Sequence, residues 1–347
     1  MTMTAVTFPN RLKLASLPTP LTRLTRFELI NSDTRVWVKH DEMTGTEISG
    51  NKIRKLEFIF AEAEAHGCRT IITCGGIQSN HCRATAVMAA RLGYRAHLIL
   101  RGEKPTIMEG NLLMDYLAGA LIDYLPQEQW STHTDLGQRL VEAYASRGEK
   151  ALFVPIGASD EIGLWGYIAA CYELREDFRQ HNLQPDYIVC ATGSGGTQGG
   201  LIVGTELFDL PSKVVAFNVC DNATYFDRKI RDDVTRWNQR YKMNVDVGEL
   251  SVTTVEGYVG PGYGIARPVV FELITELART EGLFLDPVYT GKAFYGLLSE
   301  LAKRDDGALA GARDVVFIHT GGLFGVFPQQ SNFDLALHET GWVKLLS

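Results

Sequence analysis

The chain has 347 residues, 45% hydrophobic and 22% charged, with a formal net charge of −7. That length supports one large or two medium domains with substantial cores. The acidic balance excludes a general nucleic-acid-binding role, which needs a basic face; no apolar run reaches the length of a membrane span, and the N-terminus lacks the apolar stretch of a signal peptide, so a cytoplasmic protein is expected.

The first predicted strand is 35-RVWVKH-40. A helix is predicted over residues 53–67, opened by 50-GNKIRKLE-57. Lys52 stands behind a Gly-Asn turn at the helix start, where the helix dipole disfavours a cation. A lysine there is pressed to lose its proton, and a neutral lysine attacks carbonyls and forms Schiff bases. Arg54 and Lys55 are expected to pair with carboxylates or to face water. The strand 69-RTIITC-74 runs into 74-CGGIQSNHCRATA-86, where Gln78, Ser79, Asn80 and His81 precede a helix over residues 79–93. That helix start suits a substrate carboxylate; equally, Ser79 or Asn80 is an ordinary N-cap. Cys74 and Cys82 bracket His81, but a metal site needs closer thiolate clustering, so no metal is expected. The six cysteines contain no CxxC pair and read as reduced, mostly buried thiols.

Strands at residues 95–100, 121–125 and 151–156 and helices at 108–119 and 166–180 continue the alternation. The strand 186-DYIVCA-191 leads into 190-CATGSGGTQGGL-201, which opens a helix over residues 197–208. Consecutive glycines and small hydroxyls let backbone N–H groups converge on an anion, and a phosphate is the expected guest. A dinucleotide is an alternative guest: Gly193 and Gly195 fit G-x-G-x-x-G and Asp221 lies at a suitable distance, but the third glycine, Gly199, comes one place late. After the strand 213-KVVAFN-218, residues 219–264 are expected to be loop-rich. Two Gly/Pro-rich turns follow, 258-YVGPGYGIARP-268 with Tyr263 and 282-GLFLDPVYTGKA-293 with Tyr289, separated by a helix over residues 267–282. The last strand, 314-DVVFIHT-320, ends in the glycine turn 319-HTGGLFG-325. Strand-helix alternation with strands apolar on both faces predicts a doubly wound α/β architecture of open, mostly parallel sheets covered by helices. The number of strands predicts two lobes. One activated lysine and one anion nest are together what an aldehyde cofactor with a phosphate tail requires, which points to pyridoxal 5'-phosphate.

These segments, in order with 17-LPTPLTRL-24, 193-GSGGTQ-198, 286-DPVYTGK-292 and 320-TGG-322, resemble the pyridoxal-phosphate-dependent family of D-cysteine desulfhydrases and 1-aminocyclopropane-1-carboxylate (ACC) deaminases. The resemblance implies the two-lobed tryptophan-synthase-β-like fold (fold type II), with a larger lobe from residues 1–55 and 166–347, a smaller lobe from 56–165, and a homodimer. It makes Lys52 the lysine bonded to the cofactor and Asn80 the partner of its phenolic oxygen. Thr192 and the loop Gly193, Ser194, Gly195, Gly196 and Thr197 would hold its phosphate. Gln78, Ser79 and His81 would receive the amino-acid substrate, with Tyr263 and Tyr289 on its far side and able to move protons.

Position 290 departs from the ACC deaminases, which carry an acid there beside the pyridine nitrogen. Thr290 supplies no such charge, so the ring is a weaker electron sink. That favours expelling a β-substituent over opening a cyclopropane, and the desulfhydrases of the family carry threonine. The reading is therefore α,β-elimination, with D-cysteine converted to pyruvate, hydrogen sulfide and ammonia. Asp160 and Trp165, in 155-PIGASDEIGLWGY-167, are unusual for the family and are expected to reshape the pocket, which leaves cysteate and other β-substituted alanines as alternatives. Two other readings stay open: a dinucleotide-dependent oxidoreductase, and a non-catalytic pyridoxal-phosphate-binding module.

Overall fold

The computed structural model describes residues 6–29 and 33–334. In chain order its elements are β1 (Leu21–Arg23), β2 (Arg35–Lys39), α1 (Lys52–Ala65), β3 (Thr70–Gly76), α2 (Asn80–Leu92), β4 (Arg95–Arg101), α3 (Gly110–Leu117) and β5 (Leu121–Leu125). Then come α4 (His133–Ala145), β6 (Ala151–Val154), α5 (Leu164–His181), β7 (Tyr187–Thr192), α6 (Gly196–Leu207) and β8 (Lys213–Asn218). The last are α7 (Ala223–Tyr241), β9 (Thr253–Val255), α8 (Pro268–Glu281), α9 (Thr290–Ala302) and β10 (Asp314–Ile318).

Two sheets result. One has the order β1-β2-β10-β7-β8-β9, the other β5-β4-β3-β6. Among the ten described strands β1 pairs antiparallel with β2, and the other strand pairings are parallel. The period-2 geometry of the strands sorts their side chains into separate cores. Ile188, Cys190, Val214, Ala216, Val316 and Ile318 face one core, and their neighbours Val189, Ala191, Val215, Phe217, Val315 and Phe317 face another. Both sets are buried, as strands covered by helices on both sides require.

Residues 219–264 are loop-rich only in part: residues 242–264 are irregular apart from β9. Before them stands α7, the longest of the described helices at 19 residues. Its sequence is strongly polar, and the fully buried apolar residues Phe226, Ile230, Val234 and Trp237 return to the core at helical spacing. That narrow stripe is easily missed beside so many charges. The short strands β1 and β9 and the helices α4 and α9 were likewise not predicted.

Two contacts fix where α1 stands. Gly166 of α5 lies so close to α1 that a Cβ there would meet the Lys55 nitrogen at 2.7 Å. Beside it Arg54, 2% exposed, donates to both oxygens of Asp41 (2.9 and 2.7 Å) and to Glu173 on α5 (3.0 Å). The Tyr167 hydroxyl also donates to Asp41 (2.6 Å). Arg54 and Lys55 thus do not face water; both are buried.

Candidate active site

Open α/β sheets place ligands at the carboxyl ends of their strands, and here the two sheets share one such place. A cavity of about 570 Å³ is bordered by residues at or just beyond the ends of β3 (Gly75, Gly76), β4 (Arg101), β6 (Pro155, Ile156), β7 (Ala191, Thr192), β8 (Cys220) and β10 (Thr320).

Lys52 opens onto it as the first residue of α1. Burial lowers its amine to about 8. The preceding turn is tied from three sides. Asn51 N–H donates to Thr320 O (3.1 Å), the Asn51 amide donates to Thr197 Oγ1 (3.0 Å), and buried Arg83 of α2 donates to Ser49 O (2.8 Å). Lys55 points beneath the glycine loop before α6, donating to Gly157 O (3.1 Å) and Ser159 Oγ (3.3 Å). Burial pushes its amine well down, helped by the nearby Lys52.

The glycine loop forms the opposite wall, with Thr192, Gly193, Ser194, Gly195 and Thr197 all lining the cavity. Gly196 N–H donates to Ser159 Oγ (3.1 Å), and Ser159 also hydrogen-bonds Ser194 (2.8 Å). Thr192 Oγ1 is buried without a partner, an orphan group that asks for a ligand. Lys229 on α7 lines the same end and donates to Ser159 O (2.9 Å). Sequence reasoning missed Ser159, Lys229 and the placement of Lys55, because each reaches the loop from a distant part of the chain. Gly199, the third glycine of the dinucleotide reading, lies inside α6, where a Cβ would meet Leu164 at 3.0 Å. It serves helix packing.

At the start of α2, Ser79, Asn80 and His81 line the cavity. Ser79 is the N-cap, accepting from Cys82 N–H (3.2 Å), as the N-cap reading expects. Thr73 spends its proton on Val154 O (2.8 Å), so His81 Nε2 is the donor in their 2.8 Å bond. Burial keeps His81 well below its ordinary pKa, hence neutral. Gln78 is turned away: its amide accepts from Asn111 N–H (2.9 Å) and donates to Glu109 O (3.0 Å), fixing the α3 start.

Tyr263 and Tyr289 meet across the cavity with their hydroxyls 2.5 Å apart. Burial raises Tyr263 to about 12 and Tyr289 well above its ordinary value, so both stay protonated. Thr290, fully buried, lies behind Tyr289 and donates to Asp286 Oδ1 (2.7 Å). The outer wall carries three residues that sequence reasoning overlooked: Arg101, Trp130 and His133. Asp160 and Trp165 do not reshape the pocket. Asp160 accepts from Ile162 and Gly163 N–H (3.1 and 2.7 Å), and Trp165, 0% exposed, packs against Phe8, Phe58, Trp237 and Tyr241.

A family model described as "Pyridoxal-phosphate dependent enzyme" matches residues 12–321. The chain is 40% identical over 323 residues to a bifunctional D-cysteine desulfhydrase/1-aminocyclopropane-1-carboxylate deaminase of Arabidopsis thaliana, covering 90% of this chain and 78% of the relative. It is 35% identical over 345 residues to a D-cysteine desulfhydrase of Serratia proteamaculans, covering 93% and 97%. A crystal structure of an ACC deaminase homologue superposes with a TM-score of 0.82 at 30% identity, covering 93% of this chain and 94% of that one.

Proposed function

The chain belongs to the pyridoxal-phosphate dependent enzymes, and from that premise we propose that it performs α,β-elimination on a β-substituted amino acid, converting D-cysteine to pyruvate, hydrogen sulfide and ammonia. It is a pyridoxal-phosphate-dependent lyase of the D-cysteine desulfhydrase and ACC deaminase family. One observation carries the reading: the lowered amine of Lys52 and the orphaned hydroxyl of Thr192 open onto the same cavity.

The residues fit the cofactor. Lys52 would bond its aldehyde carbon, and Asn80 would reach its phenolic oxygen. Thr192 and the other backbone N–H groups between Gly193 and Thr197 would hold its phosphate; Gly196 N–H is already given to Ser159, Lys55 fixes the loop through Gly157 and Ser159, and Lys229, paired with Asp233, stands at the same end. Gly157 beside the cradle is held to glycine by its φ of 67°, and a Cβ there would meet Ser194 Oγ at 2.4 Å. When bound, pyridoxal phosphate draws electrons from the substrate's α-carbon and so acidifies its C–H bond.

The chain's own groups do the rest. The α2 start at Ser79 and Asn80 receives the substrate carboxylate. Lys52, once freed, is a base matched to neutral pH and takes the α-proton at Nζ. The C–H electron pair becomes the Cα–Cβ double bond, the C–S pair leaves with sulfur, and the aminoacrylate, once released, is hydrolysed by water to pyruvate and ammonia. The protonated pair of Tyr263 and Tyr289 holds a proton beside the leaving group. Thr290 has a neutral hydroxyl already donated to Asp286, so position 290 brings no carboxylate to a ring nitrogen, which supports elimination over ring opening. Cysteate is the alternative substrate, and ACC a further one. We extend the reading to a larger lobe of residues 1–55 and 166–347, a smaller lobe of 56–165, and a cytoplasmic homodimer. The free cysteines fit a reducing compartment, and the exposed Leu113, Tyr116 and Leu117 on α3 suit a partner copy.

A keto-acid release assay over D- and L-cysteine, D- and L-cysteate, β-chloroalanine, D-serine and ACC tests the reading. Pyruvate from D-cysteine without 2-oxobutyrate from ACC supports it; dominant 2-oxobutyrate formation overturns it.

A further inference from the structure

Three places in the cavity can receive an anion. The α6 start and the α2 start are two of them. The third is Arg101, the last residue of β4, which lies in register with Gly76 of β3 and borders the cavity. Its guanidinium carbon is 5.5 Å from the ring centre of Trp130 and 5.2 Å from that of Tyr263. Among the described residues it has no carboxylate partner and donates no side-chain hydrogen bond. An arginine held by aromatic rings keeps its planar fork of N–H donors in place for a ligand. Arg101 is half-buried, and its place on the cavity wall leaves that fork turned to an anion from outside.

We propose that Arg101 is a specificity residue that receives a negative charge on the substrate's β-substituent, so that the preferred substrates are β-substituted alanines with a sulfonate or thiolate side chain. This rests on the reading that Lys52 and the α2 start hold the amino and carboxylate groups of the amino acid. The cofactor phosphate and the substrate carboxylate then occupy the first two anion sites, and only the β-substituent is left for the third. Arg101 touches the ring of Tyr263, whose hydroxyl meets that of Tyr289. The cation therefore stands beside the two hydroxyls that face the leaving group. Asp221 also borders the cavity but forms no ion pair with Arg101. A cyclopropane ring carries no distal charge and gains nothing from this residue.

The test is a spectroscopic titration of the cofactor-loaded protein with D- and L-cysteate and with D- and L-alanine, which share everything except the sulfonate. Wild type is compared with Arg101→Gln and Arg101→Lys. The expected result is a wild-type preference for cysteate over alanine that shrinks roughly ten- to a hundredfold in R101Q and is partly kept in R101K, which also stands in if the glutamine variant fails to fold. An unchanged preference in both variants overturns the proposal, as does equal weakening of cysteate and alanine, which would assign Arg101 to the shared carboxylate. A wild type that binds neither alanine enantiomer sinks the reading of Lys52 and α2, and this inference with it; a preference lost only in the variants does not touch that reading.

Discussion

The Asn51 side chain reaches across 3.0 Å to the Thr197 hydroxyl, joining the start of α1 to the start of α6. One residue further on stands Lys52. The bond therefore sets the distance between the amine that would hold an aldehyde and the loop that would hold its phosphate. Asn51→Ala should lower stability by about 1 kcal/mol, the net worth of one hydrogen bond, yet weaken cofactor retention more than that loss implies. Equilibrium dialysis against pyridoxal phosphate measures the second effect and chemical denaturation the first. Equal retention in the variant would show that the two starts are held together by other means.

The amine of Lys52 should be more reactive than those of the exposed lysines in the unloaded protein. Burial lowers it to about 8, against about 10.4 for an ordinary lysine. The free base therefore forms as pH rises through about 8, while ordinary lysines remain charged. Labelling with an amine-selective reagent over a pH series, read by peptide mass spectrometry, should show Lys52 reacting at lower pH than the exposed lysines.

The network around Arg54 predicts acid sensitivity. Burial works upward on the Glu173 carboxyl, but Arg54 and Lys39 outweigh it and bring it down to about 2. An unfolded glutamate titrates near 4.3, so the unfolded chain takes up this proton first as pH falls. The stabilisation from Glu173 is complete above about pH 5 and is lost as pH falls toward about 2. It amounts to about 3 kcal/mol. Urea unfolding at neutral and acid pH should show that Glu173→Gln removes this share of the pH dependence. Arg54→Leu should be harsher, about 3–5 kcal/mol, because it strands Asp41 and Glu173 without their partner.

Gly166→Ala should also destabilise. Its new Cβ would lie 2.7 Å from the Lys55 nitrogen and 2.8 Å from the Arg54 carbonyl carbon, both backbone. Overpacking of this kind costs about 1–3 kcal/mol. Because α1 must shift to relieve it, cofactor affinity should fall together with the melting temperature.

Much of this molecule is legible in its sequence, and the exceptions share a cause. Strands of Val and Ile that end in glycine turns announce both the parallel sheets and the strand ends where the cavity forms. The Gly-Asn-Lys turn and the Gly-Ser-Gly-Gly-Thr loop carry their chemistry locally. Arg54 and Lys55 could not be placed from their neighbours, because their partners lie elsewhere in the chain: Asp41 and Glu173 for the first, Gly157 and Ser159 for the second. Arg101 lies one residue past the predicted strand 95–100, and only the fold brings Trp130 and Tyr263 against it. Trp165 looked like a pocket residue because it follows a loop that does line the cavity, but its own helix turns it into an aromatic core. Gln78, beside two cavity residues, was claimed by α3.

Lys52 is the proposed point of covalent attachment, and every other assignment in the cavity depends on it. Reduction of the pyridoxal-phosphate-loaded protein with borohydride, followed by digestion and peptide mass spectrometry, locates that bond directly. A single pyridoxyl adduct on the peptide containing Lys52, absent from Lys52→Ala, is the expected result. An adduct on Lys55, Lys229 or Lys292 instead, or a protein that takes up the cofactor without any adduct, would contradict it.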